Sequence, residues 1–283
     1  PLAGRAARQN PEPFPAMDPV ALFSALLMGV VEGLTEFLPI SSTGHLILIG
    51  DLIGFRGPPG KAFEISIQLG AILAVVWIYR KMLWSLARGM RRPGRARDYV
   101  SNIVLAFLPA MVIGATLHGT ITERLFNPFV VSVALIVGGV VIILIEWLRP
   151  KPTIESVPEI GPLAALLIGF GQVLAMVPGT SRSGATIIAA LLIGVDRRTA
   201  AEFSFILAIP TMLAATAFSL FKSWDEITPE GFDQIAVGFL TAFLVALVTV
   251  RTVLAVISRT GFAPFGWYRI ALGSLMLAVL YSR

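Results

Sequence analysis

The chain is built from long apolar runs, and the places where polar residues interrupt them divide it into elements. Six runs approach the ~20 residues that a helix needs to cross a bilayer: 62–79, 101–118, 129–147, 200–221, 234–257 and 266–281. Two stretches behave differently. Residues 19–31 stay apolar for only 13 positions before Glu32 interrupts them, and 46–55 form a second short arm closed by the turn-rich RGPPG at 56–60. Thirteen helical residues span about 20 Å, short of a ~30 Å hydrocarbon core. Residues 163–177 and 187–195 repeat this arrangement around the polar tip PGTSRSGAT at 178–186. Each pair of short arms predicts a re-entrant hairpin, one over 19–55 and one over 163–195. Irregular backbone at membrane depth is tolerated where it lines a cavity.

The two hairpin stretches are related by an internal offset. Shifted by 140, Gly29 falls on Gly169, Glu32 on Gln172, Ser41 on Ser181, Gly44 on Gly184 and Ile47 on Ile187. Shifted by 138, FEIS at 63–66 falls on AEFS at 201–204, which pairs Glu64 with Glu202. Each half therefore reads as one hairpin plus three spans. Three crossings are an odd number, so the second half is inverted relative to the first, a known membrane architecture. The predicted fold is an all-α polytopic membrane protein with an inverted-topology repeat, six spans and two hairpins, about ten helices in all. The repeats cover 17–150 and 151–283 and form one folded unit. Residues 1–16, rich in Pro, Ala and Arg, read as a disordered tail or cloning remnant ahead of a start at Met17.

Composition agrees and narrows the chemistry. The chain is 56% hydrophobic and 14% charged, against about 25% charged in soluble domains. It has no cysteine and only two histidines, His45 and His118, so disulfides, thiolate metal sites and His-rich sites are excluded. The basic surplus reports orientation rather than nucleic acid. Seven basic residues run from Arg80 to Arg97, followed by a single acid, Asp98, which places that segment in the cytoplasm. Counting spans from there, the first hairpin opens outside and the second inside. Re-entrance lets their two polar tips meet.

The tips carry the candidate chemistry. Glu32 and Glu36 share a helix face four residues apart, and Pro39 breaks the helix before Ser41, Ser42, Thr43 and His45. Ionisable groups at membrane depth are a functional hypothesis by default. In the second tip Pro178 and Gly179 form a turn, and Ser181 or Ser183 caps the following helix. Arg182 offers a planar fork for phosphate. Two helix N-termini, an arginine and the hydroxyls of Ser41, Thr43, Thr180, Ser181, Ser183 and Thr186, with Gly179, are expected to hold an anion. A divalent cation held by Glu32 and Glu36 would reconcile carboxylates with phosphate. One helical turn separates Ser42 from His45, so the imidazole is expected to reach the serine hydroxyl or the leaving ester oxygen. A plain helix-capping role for Ser42 stays open. Glu64 and Gln68 share a helical face and are candidates for an outer layer of the site.

GVVEGLTEFLPISSTGH at 29–45 and PGTSRSGAT at 178–186 closely resemble the undecaprenyl-diphosphate phosphatase family of bacteria, also called bacitracin-resistance proteins. The resemblance extends from Met17 to the C-terminus, with no departure at the motif positions. It implies an inner-membrane hydrolase that converts a C55 polyprenyl diphosphate lipid to the monophosphate carrier of cell-wall synthesis. It also implies dependence on Mg²⁺ or Ca²⁺. Carried over by position, its essential residues are Glu32, Glu36, Ser42, His45 and Arg182. The site is expected to open to the periplasmic or external side. A homodimer is left open. A transporter or flippase of the same lipid carrier is the alternative, since inverted repeats with broken helices also suit alternating access. A lipid phosphatase with a histidine after its Ser-Arg pair is excluded, because no histidine follows Arg182.

Overall fold

The computed structural model describes residues 18–58, 61–223, 225 and 231–282. The expected tail at 1–16 and the start at Met17 lie outside the described residues, as does part of the acidic 222–233 loop. The described residues form ten α-helices: α1 (Pro19–Thr35), α2 (Ser42–Ile53), α3 (Ala62–Gly89), α4 (Arg95–Leu125), α5 (Pro128–Leu148), α6 (Pro162–Val173), α7 (Arg182–Leu192), α8 (Arg197–Lys222), α9 (Phe232–Thr260) and α10 (Ala263–Ser282). Six of them, α3, α4, α5, α8, α9 and α10, are long and apolar enough to cross a membrane. The other four are the short hairpin arms. Local sequence explains the starts. Asp18, Asn127 and Asp196 accept backbone N–H bonds as N-caps, and Pro19, Pro128 and Pro162 open their helices at a position where no N–H is needed.

Two helices outrun their apolar cores. α3 continues past residue 79 to Gly89, through Arg80, Lys81 and Arg88. Its 28 residues span roughly 42 Å, the full thickness of a bilayer with its headgroups. The basic segment is thus mainly helical, and residues 90–94 alone connect it to α4. Lysine and arginine are good helix formers, and their long stems let the charge reach water. Arg80 and Arg88 stack over Trp77 and Trp84, at 4.5 and 4.8 Å from the ring centres. α4 likewise runs to Leu125, so most of the expected loop ITERLFN is helix.

The halves interlock by exchanging partners. α1 packs along α9, while its counterpart α6 packs along α4; α5 lies against α10, and α3 against α8. Glycines at the repeat positions set the approach. A Cβ on Gly29 would stand 2.6 Å from the Gly238 carbonyl oxygen of α9, and one on Gly169 would stand 2.5 Å from the Ala106 carbonyl oxygen of α4. Small residues bring membrane helices into such backbone contact, where dispersion replaces the missing hydrophobic drive. The shared Gly29 and Gly169 of the sequence repeat therefore perform one job twice.

The second hairpin is re-entrant. The loop before α6 pairs with the segment after α7, through an isolated parallel bridge between Ile154 and Val195. Asp196 donates its N–H to the Ile154 carbonyl at 2.9 Å. Both ends of the hairpin thus lie at one face. Glu146 at the end of α5 fastens the same face: it pairs with Arg197 and accepts from the Phe262 N–H at 3.1 Å. We expect Gly169→Ala to destabilise the protein by about 1–3 kcal/mol, because backbone rather than a movable side chain blocks the added methyl. A melting curve in detergent checks this; an unchanged Tm would mean that α6 does not need the contact.

Candidate active site

Each hairpin turns in the same strained way. Ser41 and Ser181 have φ of 70° and 74°, a left-handed conformation that costs a non-glycine residue on the order of 1 kcal/mol or more. Each then caps the arm that follows it. Gly44 N–H donates to Ser41 Oγ at 3.4 Å, and Gly184 N–H donates to Ser181 Oγ at 3.2 Å. The twofold relation seen in the sequence is therefore present in backbone geometry. Gly179 precedes the second cap at φ 94°, with a Cβ there only 2.5 Å from the Val131 carbonyl oxygen.

The tips touch. Ser183 Oγ donates to the Leu38 carbonyl at 2.7 Å, and beside this contact Phe37 meets Phe205 of α8 edge-on at 5.5 Å. Beneath both tips lies Arg269 of α10, with no measurable exposure. Its guanidinium donates to the carbonyls of Pro39 in the first tip, Gly179 and Thr180 in the second, and Ala134 and Leu135 in α5, at 2.8–3.3 Å. No carboxylate pairs with it among the described residues.

Above the tips is a cavity of about 450 Å³. Its floor is polar: Glu36, Ser41, Ser42 and Thr43 from the first hairpin, Gly179, Ser181 and Arg182 from the second, and Gln68 of α3. Its flank is apolar, with Phe107 and Met111 from α4, Met176 from the short 3-10 turn after α6, and Phe218 from α8. On the floor Ser42 Oγ donates to Glu36 Oε2 at 2.5 Å, and Arg182 reaches Glu36 Oε1 at 3.4 Å from the opposite hairpin. Arg182 also donates to the Ser204 carbonyl at 2.9 Å, which fixes its fork on α8, while its Nε has no partner. Glu32, one turn before Glu36, is buried with both oxygens unpartnered.

Several expectations change. Ser42 does not face His45; its hydroxyl is on Glu36. The imidazole lies behind the tip, with Nδ1 at 2.7 Å from the Ser41 carbonyl and Nε2 at 2.7 Å from Tyr268 Oη. Ser42, at the start of α2, turns to Glu36, while His45, one turn on, turns back to the Ser41 carbonyl and to Tyr268. Two hydroxyls expected to bind phosphate are committed to structure, Ser183 to Leu38 and Thr186 to Ser204 Oγ at 2.7 Å, and Thr180 gives its backbone carbonyl to Arg269. None of the three lines the cavity. Gln68 does, but Glu64 is exposed one turn away. Arg269 and Tyr268 were not singled out from the sequence, although a lone arginine inside an apolar span carried the needed signal.

Comparison with known proteins fits this arrangement. The family described as "Bacitracin resistance protein BacA" matches residues 25–275. The chain belongs to this family. It is 55% identical over 262 residues to undecaprenyl-diphosphatase 2 of Paramagnetospirillum magneticum, covering 93% of this chain and 100% of that protein. It is 50% identical to undecaprenyl-diphosphatase of Ectopseudomonas mendocina, covering 93% and 95% of the two chains. With the same name from Sphingopyxis alaskensis it shares 51% identity over 89% and 95%.

Arg269→Met should leave the three tip carbonyls of Pro39, Gly179 and Thr180 without their donor, while those of Ala134 and Leu135 keep the helical bonds of α5. Each unsatisfied buried group costs about 1–3 kcal/mol, so the variant is expected to lose its folded, monodisperse state. Arg269→Lys, with fewer donors, should fold with a lowered Tm. Size-exclusion profiles and melting curves read both. Wild-type stability in the methionine variant would remove Arg269 from this role.

Proposed function

We propose that the protein is a membrane phosphatase that hydrolyses undecaprenyl diphosphate to undecaprenyl phosphate and inorganic phosphate. The names of relatives about half identical over nearly the whole chain support the substrate. The observation that carries the chemistry is the alignment of Ser42, Glu36 and Arg182 on the floor of a cavity with an apolar flank. A carrier of the same lipid needs no nucleophile held against a carboxylate, so this pair favours hydrolysis over transport.

The terminal phosphate sits on the floor, with the prenyl chain along the flank. Arg182 is held by Ser204 on one side and Glu36 on the other, which presents its free Nε to a phosphate oxygen. The Ser42 proton already points at Glu36, so the oxygen can attack phosphorus as Glu36 takes the proton. A bond forms from Oγ to the terminal phosphorus, the bond to the bridging oxygen breaks, and the lipid leaves as its monophosphate. Water then displaces Oγ from phosphorus. Glu36 returns its proton to the serine, and both hydrogens of the water leave with the inorganic phosphate. His45 acts on position: it ties the Ser41 turn to Tyr268 and so aims Ser42.

Glu32 and Glu36 would hold Mg²⁺ or Ca²⁺. Two buried oxygens of Glu32 without a hydrogen-bond partner are costly as an anion, and hard oxygen ligands suit these ions. When bound, such an ion supplies charge neutralisation for the diphosphate. The inner membrane is the location we propose, with the cavity opening outward. Its apolar flank follows the C-terminal parts of α4 and α8, which point away from the basic segment between Arg80 and Arg97.

Ser42→Ala is expected to lower kcat by on the order of a thousandfold with little change in KM. His45→Gln keeps a hydrogen-bonding side chain but cannot shuttle a proton, and should stay within about a hundredfold of wild type. Equal losses in the two would return the histidine to direct proton transfer. Glu32→Gln should raise the divalent-ion concentration needed for half activity; an unchanged requirement would remove Glu32 from the ion site. For orientation, Thr43→Cys in this cysteine-free chain should react with an impermeant thiol reagent added to spheroplasts. Labelling only in inverted vesicles would overturn the outward opening.

A further inference from the structure

One buried polar group at the cavity has no task in the mechanism above. Gln172, near the end of α6, is 2% exposed and lines the cavity, and its amide Nε2 has no partner. Its other end is fixed: Thr211 Oγ1 of α8 lies 3.3 Å from Gln172 Oε1 and 2.8 Å from the Leu207 carbonyl. The single hydroxyl hydrogen of Thr211 goes to Leu207 at the shorter distance, so Thr211 holds one end of the amide and at least one N–H of Gln172 is kept for something else. A buried donor left unpaired is costly, so a ligand that accepts from it is favoured.

Position says which part of the ligand this is. Along α8, Ser204 anchors Arg182, Thr211 anchors Gln172, and Ala215 and Phe218 belong to the apolar flank. Gln172 therefore stands between the charged floor and the greasy wall. A lipid diphosphate that puts its terminal phosphate at Ser42 and its chain along the flank has its chain-bearing phosphate at this level. We propose that Gln172, oriented by Thr211, is the donor that binds the phosphate remaining on the lipid. This rests on the hydrolase reading above.

The choice of an amide has a chemical reason. The first half bears a carboxylate, Glu32, at the position that matches Gln172 in the repeat. A carboxylate beside the chain-bearing phosphate would repel it. A second cation there would hold the product monophosphate tightly and slow its departure. A neutral donor recognises the group and still lets it leave.

The experiment compares two product inhibitors on purified wild-type and variant proteins: a prenyl monophosphate in detergent micelles, and inorganic phosphate. Gln172→Met keeps the side chain's length and removes the donor. It should raise KM for the prenyl diphosphate and weaken inhibition by the prenyl monophosphate by a similar factor, roughly tenfold or more. Inhibition by inorganic phosphate, which occupies the Arg182 end, should be unchanged. Thr211→Val, which only frees the amide, should shift the same two constants in the same direction by less. Equal weakening of both inhibitors, or of neither, would overturn the assignment. Absence of turnover in the wild type would instead refute the hydrolase reading itself.

Discussion

Five backbone carbonyls from two broken hairpins and a neighbouring helix converge on one guanidinium, that of Arg269. Everything else at the site depends on this. A chain that leaves its helix at membrane depth exposes carbonyls that lipid cannot satisfy. Arginine answers with five donors in one plane, and here it uses them to hold Pro39 of one tip against Gly179 and Thr180 of the other. No carboxylate neutralises it among the described residues; the carbonyl dipoles do. The tips are then close enough for Glu36 and Arg182, which are 146 residues apart in sequence, to form one polar floor.

The floor divides its groups into those that hold the structure and those left for chemistry. Ser183 bonds to the Leu38 carbonyl of the other tip, Thr186 ties α7 to Ser204 of α8, and the Thr180 carbonyl takes a donor from Arg269. Ser42, Glu36 and Arg182 face the cavity instead, and Arg182 Nε, Glu32 and Gln172 Nε2 keep unpaired polar atoms. Such atoms are rare in a folded protein; Arg182 and Gln172 line the cavity, and Glu32 lies one turn from Glu36 on its floor, which marks where a charged ligand belongs. The surrounding wall changes from polar to apolar over two turns of α8, which matches an amphiphile with a charged head and a hydrocarbon tail.

Much of this was legible in the sequence. Apolar runs too short to span, interrupted by polar tips, point to both hairpins, and the offset of about 140 residues points to the inversion. The fit at Gly29 and Gly169, and at Ser41 and Ser181, shows why those positions recur: close backbone approach in one pair, a strained cap in the other. What periodicity does not reveal is direction. Helical spacing puts Ser42 one turn from His45, but the side chains take different partners, the serine Glu36 and the histidine the Ser41 carbonyl and Tyr268. Nor does the spacing of hydroxyls say which of them face solvent and which bond to carbonyls across the tips. The end of α3 is also misplaced, because the apolar core of a span ends before the hydrogen-bonded helix does.

The central claim is that the two inverted hairpins build a single catalytic site, with base and nucleophile from one and the phosphate-binding arginine from the other. A double-mutant cycle across the hairpins tests it most directly. Purified Glu36→Gln, Arg182→Lys and the double variant are compared for kcat/KM on prenyl diphosphate, after melting curves show that all three are folded. Residues that act as one unit are strongly non-additive, so the double variant should be no more than a few-fold worse than the worse single one. Losses that multiply in full would mean that the two groups work independently, and that the hairpins do not share a site.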